Sequence, residues 1–155
     1  MGDVRRKHNK YKRPKKLFDK ARIEAENLIV EKYGLKSKRE IWKAEAKISG
    51  LRNQAKRLIP REENAKREFY GKLNKMGLNI VSIADVLGLK TENWLERRLQ
   101  TLVFTKGIAK TAKEARQMIT HKNILVNGNV VNIPSFIVDK EMESKISRKV
   151  KGGNA

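Results

Sequence analysis

His8 and His121 are the only imidazoles in this chain of 155 residues, and cysteine is absent. Two histidines without a thiolate do not make the usual zinc site, and neither a disulfide nor a thiol nucleophile is available. No metal and no cofactor are expected. A Ser-His-Asp triad has no support, because His8 lies in a charged N-terminal run and His121 lies among basic residues. Glu62 and Glu63 also sit among basic residues, where solvated ion pairing is the ordinary role of a carboxylate. The chain has neither a Gly-x-x-x-x-Gly-Lys loop for phosphate transfer nor a His-Glu-x-x-His helix for metal hydrolysis. These absences argue against an enzyme and against a small-molecule substrate.

The chemistry that remains is charge. Lys and Arg number 37 against 17 Asp and Glu, a formal net charge of +20. Self-repulsion on that scale implies a polyanionic partner, and nucleic acid is the first choice. A membrane surface is the rival for any basic chain. No apolar run approaches the roughly 20 residues a span requires, and no apolar segment follows the basic N-terminus, so a soluble, unexported protein is expected. There is no Gly-x-x-Gly clamp and no aromatic RRM signature, which argues against base-by-base reading of single strands.

In the stretch from Trp94 to Val138 the basic side chains, Arg97, Arg98, Lys106, Lys110, Lys113, Arg116, His121 and Lys122, sit at helix ends and in the connections. The apolar pattern says what must position them. Leu95, Leu99, Leu102 and Val103 recur at helical spacing between an N-cap at Thr91 and a stop at Gly107, which predicts one amphipathic helix. Thr111 and Glu114 have the spacing of a capping box, and Ala112, Ala115 and Ile119 share a face of a second helix. The period then changes. Ile124-Leu125-Val126 and Val130-Val131 flank Asn127-Gly128, a pair suited to the positive φ angles of a type I′ turn, so a β-hairpin follows. Pro134 ends or edges the second strand, and residues 135–138 offer another. Arg98 has a second role open to it, with its stem over Leu95 and Leu102.

The residues that carry a family resemblance are Glu96-Arg97-Arg98-Leu99-Gln100-Thr101, Ala115-Arg116-Gln117 followed by His121, and Val126-Asn127-Gly128 with Pro134. In order and spacing they resemble the S-four RNA-binding module, in which two helices and a hairpin hold structured RNA. Met1-Gly2-Asp3, Lys32-Tyr33-Gly34-Leu35 and Asp85-Val86-Leu87-Gly88-Leu89 extend the resemblance to the archaeal and eukaryotic S-four family of small-subunit ribosomal proteins, over nearly the whole chain. The resemblance implies a non-enzymatic ribosomal protein of the cytoplasm. Such a protein binds folded small-subunit ribosomal RNA at a multi-helix junction early in assembly. It also implies a place near the channel through which messenger RNA enters, and ribosomal protein S-five as a neighbour. Charge and resemblance together mark Arg5, Arg6, Lys12, Arg13, Lys15, Lys16, Arg97, Arg98, Lys106, Lys110, Thr111, Lys113, Arg116, Gln117, His121, Lys122 and Asn127 as RNA-binding residues. The cysteine-bound zinc of some relatives is not implied here. The module alone would also permit a free-standing factor in ribosome rescue or RNA modification, and the flanking segments count against that alternative.

The expected fold is α+β and mostly helical. Residues 1–16 are a basic arm with few apolar side chains, expected to stay extended until RNA orders it. Residues 17–90 are a helical N-terminal domain: a helix from Phe18 to Tyr33 stopped by Gly34, then a capping box at Ser37–Glu40. A helix with the stripe Ile41, Ala44, Ile48, Leu51, Ala55 and Leu58 follows, then a third carrying Ala65, Phe69, Leu73 and Met76 up to Gly77. Ser82 to Leu89 is a short helix leading into the module. Residues 91–150 are the module, with a further strand between Glu141 and Ile146, and 151–155 a frayed tail. Trp42 and Trp94 are assigned to packing.

Overall fold

The computed structural model describes residues 10–149. Arg5 and Arg6, and the tail from Val150, lie outside them. Helix α1 (Lys20–Tyr33) is capped by Asp19, whose side chain accepts from the Arg22 amide. Helix α2 (Arg39–Leu58) presents the predicted stripe, with Ile41, Ala44, Ile48 and Ala55 buried. The capping box expected at Ser37 is not formed: Lys38 is the N-cap, and the Glu40 carboxylate accepts from the Lys36 amide instead. Helix α3 (Glu63–Lys75) and the short α4 (Ile83–Gly88) complete the layer. Ser82 and Asp85 cap α4 reciprocally.

The single helix expected from Thr91 to Gly107 is two, α5 (Thr91–Glu96) and α6 (Leu99–Thr105), with Lys90 rather than Thr91 as the first N-cap. The break has a cause outside the segment. Arg98 takes extended geometry, φ −75° and ψ 143°. The Leu99 amide then donates to the Phe136 carbonyl at 2.7 Å and the Gln100 amide to Pro134 at 3.3 Å. The Val138 amide returns to the Arg97 carbonyl at 3.2 Å. Residues 134–138 therefore pair across the break, through an isolated bridge between Arg98 and Ile137, and do not form the strand predicted there.

Helix α7 (Ala112–Thr120) follows, with Thr111 accepting from the Glu114 amide as predicted. Glu114 reaches back one residue further than a capping box requires, to the Lys110 amide at 2.7 Å. Strands β1 (Ile124–Val126) and β2 (Asn129–Val130) form the hairpin, and Asn127 and Gly128 hold φ of 52° and 81°, the angles a type I′ turn requires. Helix α8 (Lys140–Glu143) occupies much of the predicted last strand, and β3 (Ile146–Arg148) comes after it. The antiparallel sheet has the order β2-β1-β3.

Four helices close in one way. In α1, α3, α6 and α7 the residue after a left-handed one donates to the carbonyl five positions back, and the left-handed residue itself donates to the next carbonyl in. The residue that turns left-handed is Gly34, Gly77 and Gly107 in the first three; in α7 it is Lys122, φ 59°.

The core has three parts. Leu99, Val103, Ala115, Ile119, Ile124, Val126, Val138 and Ile146 fill the module. Ile48, Ala55, Leu73, Ile80, Val86 and Leu89 fill the helical layer. Tyr33, Leu35, Ile41, Ala44 and Leu95 join the two. Each buried leucine or isoleucine is worth about 1.5–3 kcal/mol of removed apolar surface, so the joining cluster binds the layers into one body. Trp42 and Trp94 pack against these clusters. The second half of the predicted arm is not free of the body: Tyr11 lies against Trp42 with ring centroids 5.9 Å apart, and the Lys16 and Leu17 carbonyls accept from the Arg22 guanidinium. No described helix is long and apolar enough to cross a membrane.

Candidate nucleic-acid interface

Of the predicted site residues in the module, Arg97, Arg98 and Arg116 are turned toward protein. Arg97 donates to the Met76 carbonyl at 2.9 Å and the Val138 carbonyl at 3.1 Å, and pairs with Glu143 at 2.9 Å. Gly77 leaves room for it: a Cβ there would sit 2.5 Å from the guanidinium carbon. Arg98 is 4% exposed and pairs with Glu40, so its head is buried rather than lifted to solvent over Leu95 and Leu102. Arg116 reaches Glu40 at 3.1 Å and the Gln100 side-chain oxygen at 3.2 Å. The Gln100 amide nitrogen in turn reaches the Tyr33, Gly34 and Ala112 carbonyls at 3.1, 2.9 and 2.9 Å.

This network joins the helical layer to the module. Burial alone would raise the Glu40 carboxyl, but hydrogen bonds and charge from Arg98 and Arg116 outweigh it and hold the group below its ordinary value of 4.5. Glu40 is therefore ionised, and the two guanidiniums are held in place. Sequence reasoning sees the arginines as free cations because their partner lies in α2, far away along the chain.

The other candidates are exposed. Lys110, Thr111 and Lys113 sit at the start of α7, and His121 and Lys122 at its end. Lys113, Gln117 and His121 are spaced by four, so they form one ridge opposite the buried Ala115, Met118 and Ile119. Lys106 caps α6 and donates to the Glu143 carbonyl, and Asn127 is exposed at the hairpin turn. Lys12, Arg13, Lys15 and Lys16 are exposed before α1.

Lys122 is the unusual member. A left-handed non-glycine residue costs about 1 kcal/mol or more, and glycine fills the same place in the three sister caps. A lysine there puts a cation at a helix C-terminus and on the surface.

Three cations that sequence reasoning assigned no RNA role join the set. Arg39, Lys43 and Lys47 line a cleft of about 690 Å³ between α2 and the module, facing Trp94, Arg98, Arg116 and Ser135. All three are exposed, and their spacing of four along α2 was a readable signal.

The S4 domain family matches residues 97–144, from the break between α5 and α6 to the short helix α8. The chain is 43% identical to small ribosomal subunit protein uS4 of Thermoplasma volcanium over 95% of its own length and 78% of that protein's. It is 44% identical to uS4 of Picrophilus torridus, covering 85% of it, and 43% identical to uS4 of Methanococcus aeolicus, covering 87%. The chain belongs to the uS4 family of small ribosomal subunit proteins. The uS4 likeness extends over the helical layer and not only the S4 domain. Strand β3 lies just beyond the matched S4 residues, yet it pairs along the whole of β1.

Proposed function

We propose that this chain is a structural, non-enzymatic component of the small ribosomal subunit in the cytoplasm. In this reading it binds folded small-subunit ribosomal RNA at a helix junction early in assembly. It lies near the channel through which messenger RNA enters, with ribosomal protein S-five as a neighbour. The observation that carries the proposal is the uS4 likeness over 95% of the chain, which spans both the helical layer and the S4 domain. A rescue or RNA-modification factor would need only the S4 domain.

The mechanism is electrostatic and geometric. Lys110, Lys113, Lys122 and Lys106 on the module, and Arg39, Lys43 and Lys47 across the cleft, each release counterions when they meet a phosphate. Because Glu40 fixes the two layers against each other, the cations keep constant separations. A folded junction that brings phosphates to those separations binds better than a straight duplex, so shape is selected before sequence. Arg97, Arg98 and Arg116 set the frame, and the exposed ridge Lys113, Gln117 and His121 offers one charge and two hydrogen-bonding groups to backbone or 2′-hydroxyls.

The test is a salt titration of the full chain with a small-subunit ribosomal RNA transcript and with a plain RNA duplex. Log affinity for the transcript should fall linearly with log salt, by about 0.7–0.9 per phosphate neutralised, and should exceed the duplex affinity at every salt concentration. Affinity that is flat in salt, or equal for both RNAs, contradicts the proposal.

A further inference from the structure

Trp42 has no part in the electrostatic clamp just described, yet its surroundings are built. Its indole N–H donates to the buried Glu26 carboxylate at 3.0 Å, and Glu26 also holds Arg22 at 2.6 Å and Lys38 at 3.4 Å. The ring is thus fixed in orientation on α2. Tyr11 lies beside it, tilted by 38°. Next to the two rings is a pocket of about 390 Å³, lined by Tyr11, Trp42, Arg13, Ser37, Lys38 and Arg39. Its lining has two aromatic rings, three cations and two hydroxyls, and no carboxylate. Among the described residues, Arg13 and Arg39 make no ion pair.

We infer that Tyr11 and Trp42, with Arg13 and Arg39, form a site for one unpaired nucleotide of the bound RNA. The inference rests on the RNA-binding reading and deepens it. A paired base cannot use such a site, because its faces are already stacked; an extruded base can lie on the aromatic wall while its phosphate meets the guanidiniums. Every base has a π face, so the site selects an unstacked nucleotide rather than a sequence. Arg39 also lines the larger cleft, which makes the pocket continuous with the proposed phosphate track.

The chain contains two tryptophans, so Trp94→Phe leaves Trp42 as the only indole reporter. This full-length variant is titrated at fixed ionic strength with a short oligoadenylate RNA, with a stable RNA duplex of matched phosphate number, with AMP and with inorganic phosphate. Oligoadenylate should quench the fluorescence to saturation and AMP should do so at higher concentration, while duplex and phosphate leave it unchanged. Tyr11→Ala in the otherwise natural chain, read by anisotropy of labelled RNA, keeps the test independent of how well Trp94→Phe folds. It should weaken oligoadenylate binding about ten-fold and duplex binding by less than about two-fold. Absence of quenching, quenching by phosphate alone, or equal weakening for both RNAs overturns the site. If the duplex still binds with the expected salt dependence, only the nucleotide site has failed; if neither RNA binds, the RNA-binding reading fails with it.

Discussion

Glu40 is the residue on which two halves of the molecule agree, and its energetics can be measured. Removing one member of a buried ion pair typically costs about 3–5 kcal/mol, because the partner is left charged and unpaired. Glu40 retains some solvent contact, with 16% of its side chain exposed, so Glu40→Ala is expected to destabilise the chain by about 3 kcal/mol. The pH dependence has a definite sign. Arg98 and Arg116 depress the folded-state carboxyl below its ordinary 4.5, so its contribution is complete above that value and is lost as pH falls through the folded value. Denaturant melts of the natural chain and Glu40→Gln should therefore converge as pH drops from 5 toward 3, with a stability gap that is constant above it. A gap that stays the same throughout would show that the carboxylate charge does not hold the layers.

Arg98 and Arg116 also show how far a sequence can be read at this scale. Both were visible as basic residues beside an apolar stripe, and the family pattern marked them as contacts to RNA. Their inward turn was not visible, because it depends on a carboxylate brought in by a different helix. The exposed candidates, from Lys110 to Lys122, stand where local pattern placed them, since capping and helical phase are local properties.

At the scale of elements, local chemistry was legible at the glycine stops after α1, α3 and α6, the Thr111 cap and the Asn127-Gly128 turn, while the caps read at Ser37 and Thr91 fall instead at Lys38 and Lys90. It failed where a distant segment competes. Leu95, Leu99, Leu102 and Val103 keep helical spacing straight through the break, because both short helices bury the same side. Only the backbone of residues 134–138, taking the donors at Leu99 and Gln100, separates α5 from α6. The residues between Glu141 and Ile146 were divided between α8 and β3 for the same kind of reason, since β1 supplies a partner only from Ile146 onward.

The closure of α7 yields a prediction of opposite signs. Lys122→Gly removes left-handed strain and should raise unfolding free energy by about 1 kcal/mol. It should also weaken binding to ribosomal RNA and reduce the salt slope by about one phosphate. Thermal melts and salt-dependent titrations on the same preparation check both. A stabilised variant with unchanged RNA affinity would leave the lysine without a role at that cap.

For the whole molecule, +20 charges are carried on a body in which a buried network and a shared apolar cluster join the helical layer to the module. That rigidity is what turns scattered cations into a surface of fixed shape. Composition alone pointed to a polyanion, and the resemblance of segments ahead of the module pointed to one family over the many proteins that borrow the module. Composition could not show the cleft between α2 and the module, which exists only once the two layers are packed.

The central claim is that the chain is a constitutive part of the small subunit. Quantitative mass spectrometry across a sucrose gradient of native ribosomes and their precursors tests it directly, with the protein at its natural expression level. One copy per small subunit, already present in early precursor particles that contain small-subunit ribosomal RNA, is the predicted result. A substoichiometric protein found mainly free, or on stalled large subunits, would contradict it.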